Sequence, residues 1–379
     1  MKTILFDLFE AQPTSTSKYH GGGEYIKAVF KNLIEKYWGQ YEIIVFYDRE
    51  NFLDQWILDI IQSKKIETFF VKKIEDISAV FQKYNINTFY SGLPYYYRKE
   101  MFPSNIKIKT TIHGLRFLEL PGDKYANMYG KKKQNIKESI RYLMRKLYRE
   151  RKRLEFKKCI ELSDDLICVS NHTRYSIAYY YPQFKNKEMK VFYTPQKAAN
   201  FCERDSNEIE EKYILILGGD RWVKNCYREI LALESLFRCG YLQDYKIVII
   251  GGLSNKIRNT IAQSKKYQIM DYVDIDKLES LYKYCDLFLY ASLNEGFGMP
   301  PLEAMKYGKT CIVSGVCSLP EICGDAVYYV NPYDINEIAS RILNAAMVKI
   351  TPNKVITQYS KIHERQENDL DKLCEFIIE

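Results

Sequence analysis

Two carboxylates bracket a glycine turn in residues 294–309, NEGFGMPPLEAMKYGK. Glu295 stands directly before Gly296, Phe297 and Gly298, and Glu303 follows with seven residues between the two acids. Carboxylates accept hydrogen bonds from hydroxyl groups, and the N–H groups where Pro300 and Pro301 open a helix favour an anion. Sugar hydroxyls on either side of a phosphate fit that pattern. The plainer alternative is that both acids merely complement the helix dipole, worth about 0.3–1 kcal/mol each. A second set follows the apolar run YILIL: Gly218, Arg221, Lys224 and Asn225. Two fixed cations after a strand could clamp a diphosphate, each charge-assisted hydrogen bond contributing roughly 1.5–3 kcal/mol. A solvated pair is the alternative there.

Other candidates carry weaker signals. Gly21, Gly22 and Gly23 stand between a first strand and its helix, where a backbone can approach a phosphate or sugar, or simply flex. His113 ends the strand-like IKIKTTI, a position from which an imidazole can contact a ligand, although a lone histidine is more often structural. Ser170 or Asn171 reads as a helix cap, with His172 and Thr173 on the same side. Asp274-Ile275-Asp276 has the spacing of a metal-binding acidic pair. The periodic Leu278, Leu281, Tyr282 and Cys285 behind it favour a cap at Asp276 instead. The ten cysteines include no Cys-x-x-Cys pair, and Cys311, Cys317 and Cys323 read as buried side chains. No metal and no cofactor are expected.

The elements that must position these groups alternate. Strands are predicted at 3–9, 41–47, 67–71, 87–91, 106–112, 166–170 and 190–194, with helices at 24–38, 51–62 and 75–84. The pattern restarts with strands at 213–217, 245–250, 286–292 and 310–314 and helices at 335–347 and 359–378. Repeated strand-then-helix units imply right-handed crossovers and a doubly wound parallel sheet, with ligands at the carboxyl ends of the strands. The polar, aperiodic residues 195–212 read as a linker. The expected domains are therefore 1–195 and 196–358, with 359–379 a last helix.

At 379 residues, 46% hydrophobic and 27% charged, the chain has room for two cores and the composition of a globular protein. No apolar run approaches the roughly 20 residues of a membrane span. Asp7 and Glu10 interrupt the apolar start, which reads as a strand rather than a signal peptide and places the chain in the cytoplasm. The net charge of +8 is concentrated: residues 124–158 hold 14 lysines and arginines against 3 glutamates, so the remainder is slightly acidic. Within that segment Ile136, Ile140, Leu143, Met144 and Leu147 recur at helical spacing, an amphipathic helix with a basic outer face. One reading docks the apolar stripe on the protein and leaves the lysines solvated. The other attracts an anionic membrane leaflet, at the inner face of the cytoplasmic membrane, or a pyrophosphate-linked acceptor. Nucleic acid is disfavoured, because no stacking-aromatic module accompanies the charge.

The string from Glu295 to Gly308 resembles the signature of family 4 glycosyltransferases, retaining sugar-nucleotide enzymes of the GT-B fold. Glu295, Gly296, Phe297, Gly298, Pro300, Leu302, Glu303, Ala304, Met305 and Gly308 match it, and Lys306 stands where a small residue is usual. Gly218, Arg221, Lys224 and Asn225 resemble the family's donor-phosphate loop, and residues 318–332 are similar as well. Gly114 follows His113 where the family often has Asp, so no role of that Asp carries over. The resemblance implies an α/β architecture of two Rossmann-like domains facing across a cleft, the first for the acceptor and the second for the donor, with the last helix, 359–379, crossing back to the first. It implies that Glu303 accepts the ribose hydroxyls and Glu295 contacts the donor sugar. Arg221, Lys224 and the amides of Phe297 and Gly298 would hold the diphosphate, with Gly22, Gly23 and His113 contributing from the first domain. Same-face transfer of a hexose-type sugar to a glycan or lipid-linked glycan, in cell-surface polysaccharide assembly and without a metal, is the implied reaction. A GT-B sugar-nucleotide epimerase and a non-catalytic sugar-nucleotide binding protein are the competing expectations.

Overall fold

The computed structural model describes residues 2–13, 20–130, 132–198 and 209–379. Most of the expected linker, together with Lys131 and Cys202, lies outside the described residues. The chain divides into two units, one of residues 1–115, 151–199 and 363–379 and one of residues 116–150 and 200–362.

The first unit holds a seven-stranded sheet of β1 (Thr3–Asp7), β2 (Glu42–Tyr47), β3 (Glu67–Phe70), β4 (Thr88–Ser91), β5 (Lys107–Ile112), β6 (Asp165–Cys168) and β7 (Met189–Val191). Their order is β3-β2-β1-β4-β5-β6-β7, and every pair is parallel. The unbroken apolar runs explain this. Ile4, Leu5 and Phe6 are all fully buried, as a strand covered on both faces requires. Strand order reverses between β1 and β4, which puts the ligand-prone crevice of this unit at their carboxyl ends. The end of the long helix Pro352–Ile378 belongs to this unit: Leu373, Cys374 and Ile377 are fully buried, and the Asp369 carboxylate accepts the Tyr193 N–H at 2.9 Å.

The second unit repeats the plan with β8 (Lys212–Leu217), β9 (Tyr245–Ile250), β10 (Tyr267–Met270), β11 (Leu287–Tyr290), β12 (Thr310–Ser314) and β13 (Tyr328–Val330). The order is β10-β9-β8-β11-β12-β13, again all parallel, with the reversal between β8 and β11. One core of fully buried side chains, among them Ile214, Ile247, Leu287 and Ile312, packs under the helix Cys226–Arg238 and the helix Ile335–Met347. The edge strands β10 and β13 escaped the sequence reading. They are short, and their YQIM and YYV have neither alternation nor a long apolar run.

Three expectations are corrected. The glycines at 21–23 are no loop but the first turn of the helix Gly21–Tyr37, capped by His20, whose Nδ1 accepts the Gly23 N–H at 3.0 Å. The cap before the helix Ile275–Tyr284 is Asp274, which accepts the Lys277 N–H at 2.8 Å, and Asp276 sits in the first turn. The basic residues 116–150, expected within the first domain, group with the second unit. Buried Arg228 is the reason. Its guanidinium forks onto Asp123 at 2.8 and 3.2 Å and lies over the Tyr125 ring at 4.6 Å.

Candidate active site

In the second unit the two signature stretches meet at the switch point. The loop after β8 carries Arg221 and Lys224, and the loop after β11 carries Glu295. Lys224 reaches Glu295 because Gly218 leaves room: a Cβ on that glycine would lie 2.6 Å from the Lys224 Cγ, and its φ of +77° is itself a glycine conformation. The Lys224 ammonium then stands 2.7 Å from Glu295 Oε1 and also bonds the Tyr290 hydroxyl. Tyr290 and Ser292 donate to the same carboxylate oxygen at 2.7 and 2.6 Å. Burial alone would push the Glu295 carboxyl up, yet Lys224, Ser292 and Tyr290 outweigh it and hold it below its ordinary value. The side chains of Lys224 and Glu295 are only 14% and 12% exposed, so they form a preorganised pair of opposite charges.

The glycine turn is fixed from below. The Ser318 hydroxyl donates to the carbonyls of Glu295 and Phe297 at 3.0 and 2.7 Å, and Gly298 takes a φ of +114° to open the seven-residue helix Met299–Met305. Glu303, in that helix, is 8% exposed and accepts the Tyr282 hydroxyl at 2.7 Å. Arg221 is exposed at the start of the turn Trp222–Lys224.

A chain of polar groups ties the two loops together. Asn225, held in the left-handed region at φ +69°, donates to the carbonyls of Ala291 and Pro332 at 2.9 and 2.7 Å. Buried Glu229 accepts the Ala291 N–H at 2.6 Å, so both faces of that one peptide position are held from the helix Cys226–Arg238. Leu293 N–H then donates to the Val223 carbonyl at 2.8 Å. Burial drives the Glu229 carboxyl up to about 8. Trp222 and Val223 pack against Leu120 and Leu293, and Asn294 donates to Glu119 at 2.6 Å, so residues 116–123 help shape the same loops.

In the first unit, His113 follows β5 and its Nε2 lies 2.9 Å from the Gly92 carbonyl, past the end of β4. Tyr25 meets its ring edge-on at 4.7 Å between centroids. Burial pushes the imidazole down to about 4, so it is neutral at pH 7. Gly22 is a packing glycine: an added Cβ would meet Leu93 at 2.6 Å. A Cβ on Gly23 would press on the Ala11 carbonyl at 3.0 Å. At the end of β1, the buried Asp7 carboxylate is bonded by Ser91 and Tyr97 at 2.6 and 2.8 Å.

The structure thus brings Lys224 and Glu295 into contact, sets Gly296, Phe297, Gly298 and Glu303 on the adjoining turn and helix, and keeps Gly22, Gly23 and His113 in the other unit. Sequence reasoning missed Tyr282, Tyr290, Ser292 and Ser318. Tyr290 ends an apolar strand, and a phenol at that end was the one available signal.

Residues 202–360 match the family model described as "Glycosyl transferases group 1". The serotype-specific mannosyltransferase WbdA of Escherichia coli is 46% identical over 74 residues, 19% of this chain and 9% of that protein. The O-antigen chain mannosyltransferase RfbU of Salmonella typhimurium is 26% identical over 203 residues, 51% of this chain and 54% of that protein. The chain therefore spans about half or less of the length of these curated relatives. Among solved structures, Anabaena HepE in complex with UDP-glucose matches with a TM-score of 0.65 at 12% identity, covering all of this chain and 99% of that one. Sucrose-phosphate synthase from Thermosynechococcus elongatus matches with a TM-score of 0.64 at 15% identity, covering 100% and 96%. These likenesses over the whole chain show the GT-B fold.

Proposed function

From the premise that residues 202–360 form a group 1 glycosyl transferase domain, we propose that the protein moves a hexose-type sugar from a nucleoside diphosphate sugar to a glycan or lipid-linked glycan in polysaccharide assembly. The observation that carries this reading is the buried Lys224–Glu295 pair at the strand-order reversal, beside the turn that leads to Glu303. In the reading, Arg221 and Lys224 hold the diphosphate with the amides of Phe297 and Gly298, and Glu303 accepts the ribose hydroxyls. Glu295 contacts the donor sugar, and His113 is a neutral hydrogen-bonding group of the first unit.

The chemistry follows from charge. As the sugar–phosphate bond breaks, negative charge grows on the leaving diphosphate, and the Arg221 and Lys224 cations stabilise it. Lys224 exchanges part of its Glu295 contact for the phosphate, so donor binding and release of the carboxylate toward the sugar are one event. The acceptor hydroxyl attacks from the face the diphosphate leaves, which takes up the proton, and the anomeric configuration is retained. No metal or cofactor enters this scheme. Names of the relatives support the sugar class, since WbdA and RfbU are mannosyltransferases, and none supports an epimerase. Contact with a membrane surface through residues 124–158 belongs to the same reading, because a lipid-linked acceptor lies at that surface.

The test is a panel of GDP-, UDP- and dTDP-hexoses, screened by thermal shift and then incubated with lipid-linked and free glycan acceptors. One donor is expected to give an α- or β-linked product of unchanged anomeric configuration by NMR, with equal yield in EDTA. Product of inverted configuration, or transfer restored only by a divalent ion, would overturn the corresponding step. Epimerised sugar nucleotide without acceptor product would overturn the assignment itself.

A further inference from the structure

The apolar stripe of the basic segment faces away from the protein. The helix Lys132–Leu143 and the helix Arg145–Leu162 meet at Met144, and the helical hydrogen-bond rhythm continues through the junction. Met144 N–H donates to the Ile140 carbonyl at 2.9 Å and Tyr148 N–H to the Met144 carbonyl at 3.0 Å. Ile136, Ile140, Leu143, Met144 and Leu147 therefore share one face. They are 53%, 50%, 77%, 51% and 66% exposed. The opposite side is the docked one. There the Arg141 guanidinium lies over the rings of Tyr148 and Trp222, 5.4 Å from each centroid. A helix whose outward face is apolar and whose docked face is polar and aromatic inverts the pattern of a core-bound surface helix. Exposed Lys137 and Lys146 flank the apolar face on its two sides.

We propose that this face inserts into an anionic lipid surface, its five apolar side chains entering the acyl boundary while the flanking cations meet the lipid phosphates. The inference rests on the membrane-contact reading given above and adds that apolar insertion, not charge alone, holds the protein there. A second copy of the chain is the rival occupant, because three- and four-residue spacing also suits a coiled-coil seam. Cations on the flanks would then face cations, whereas lipid phosphates neutralise them.

The full chain, without nucleotide sugar, is mixed with vesicles of phosphatidylglycerol and phosphatidylcholine and separated by flotation. The unsubstituted protein is expected to float with the anionic vesicles and not with pure phosphatidylcholine. Leu143→Ser with Leu147→Ser should lower the partition coefficient about tenfold or more at an unchanged thermal midpoint. Lys137→Gln with Lys146→Gln should weaken binding and flatten its salt dependence. Full binding by the serine variant would overturn insertion while leaving an electrostatic contact. No binding by the unsubstituted protein would overturn the membrane reading as a whole. A concentration-dependent dimer that the serine variant dissolves would assign the face to a second copy and overturn the proposal.

Discussion

Lys224 and Glu295 neutralise each other at 2.7 Å, and truncating either leaves a buried charge behind. Lys224→Ala is expected to lower the transfer rate by about 100–1,000-fold with the circular dichroism spectrum unchanged, the usual cost of removing one preorganised charge donor. Near-normal turnover at saturating donor would remove Lys224 from the site. Glu303→Ala should raise the donor KM and cut transfer, and isothermal titration with the nucleoside diphosphate would show whether the loss lies in binding. His113 makes a pH prediction. Its folded pKa near 4 lies below the ordinary 6.5, so the unfolded chain binds more protons in that window. Stability contributed by the neutral imidazole is therefore full above pH 6.5 and is lost as pH falls toward 4, on the order of 1–3 kcal/mol. Chemical denaturation of His113→Phe across that range should show a flatter pH dependence than the parent, and an equal slope would refute the assignment. Glu295, Glu303, Arg221 and Lys224 were singled out because the strings that carry them resemble the family's signature and donor-phosphate loop, whereas spacing alone left the helix-dipole and solvated-pair readings open. Tyr290 and Ser292 were not, since their hydroxyls look like strand residues until the carboxylate they serve is placed.

At the scale of elements, the helix Cys226–Arg238 works as a bracket for the two loops. Glu229 and Asn225 hold Ala291 from both of its backbone groups, and Arg228 donates to both Asn225 and Asp123. Glu229→Gln keeps an acceptor for the Ala291 N–H and removes the titration. The Glu229 carboxyl, raised to about 8 in the fold from an ordinary 4.5, adds stability at low pH that is lost as pH climbs through 8. The glutamine variant should thus match the parent in mild acid and exceed it in alkali, whereas Glu229→Ala should cost about 1–3 kcal/mol throughout. Urea melts at several pH values would decide it, and a glutamine variant as weak as alanine would refute the clamp. Apart from Arg228–Asn225, three residues apart, these partners could not be read from spacing, because the bonds join residues distant in the chain. The amphipathic period of residues 136–147 was readable, but not which face is docked. Periodicity gives a stripe, and only the position of Arg141 against Trp222 says that the stripe looks outward.

For the molecule as a whole, two doubly wound sheets were legible from unbroken apolar strands separated by helices, and the GT-B likeness confirms the fold. The make-up of each unit was legible in part: the return of the last helix to the first unit was expected from the resemblance, whereas residues 116–150 group with a unit that their neighbours in sequence do not indicate. Removing residues 363–379 takes away Leu373, Cys374 and Ile377 together with the Asp369 and Gln366 side chains that bond Tyr193 and Gln196. Limited proteolysis of that truncation should digest residues 1–115 while sparing residues 209–362, and equal protection of both would contradict the division. The discontinuous first unit has a further consequence, for the order in which the chain is made. A ribosome releases residues 1–115 long before residues 363–379, with the whole second unit emerging between them. All seven strands of the first unit are made by residue 191, before the second sheet begins at residue 212, but the surface under the last helix stays uncovered until residues 363–379 emerge. Protection of that surface by a chaperone during translation is the demand this topology makes on the cell.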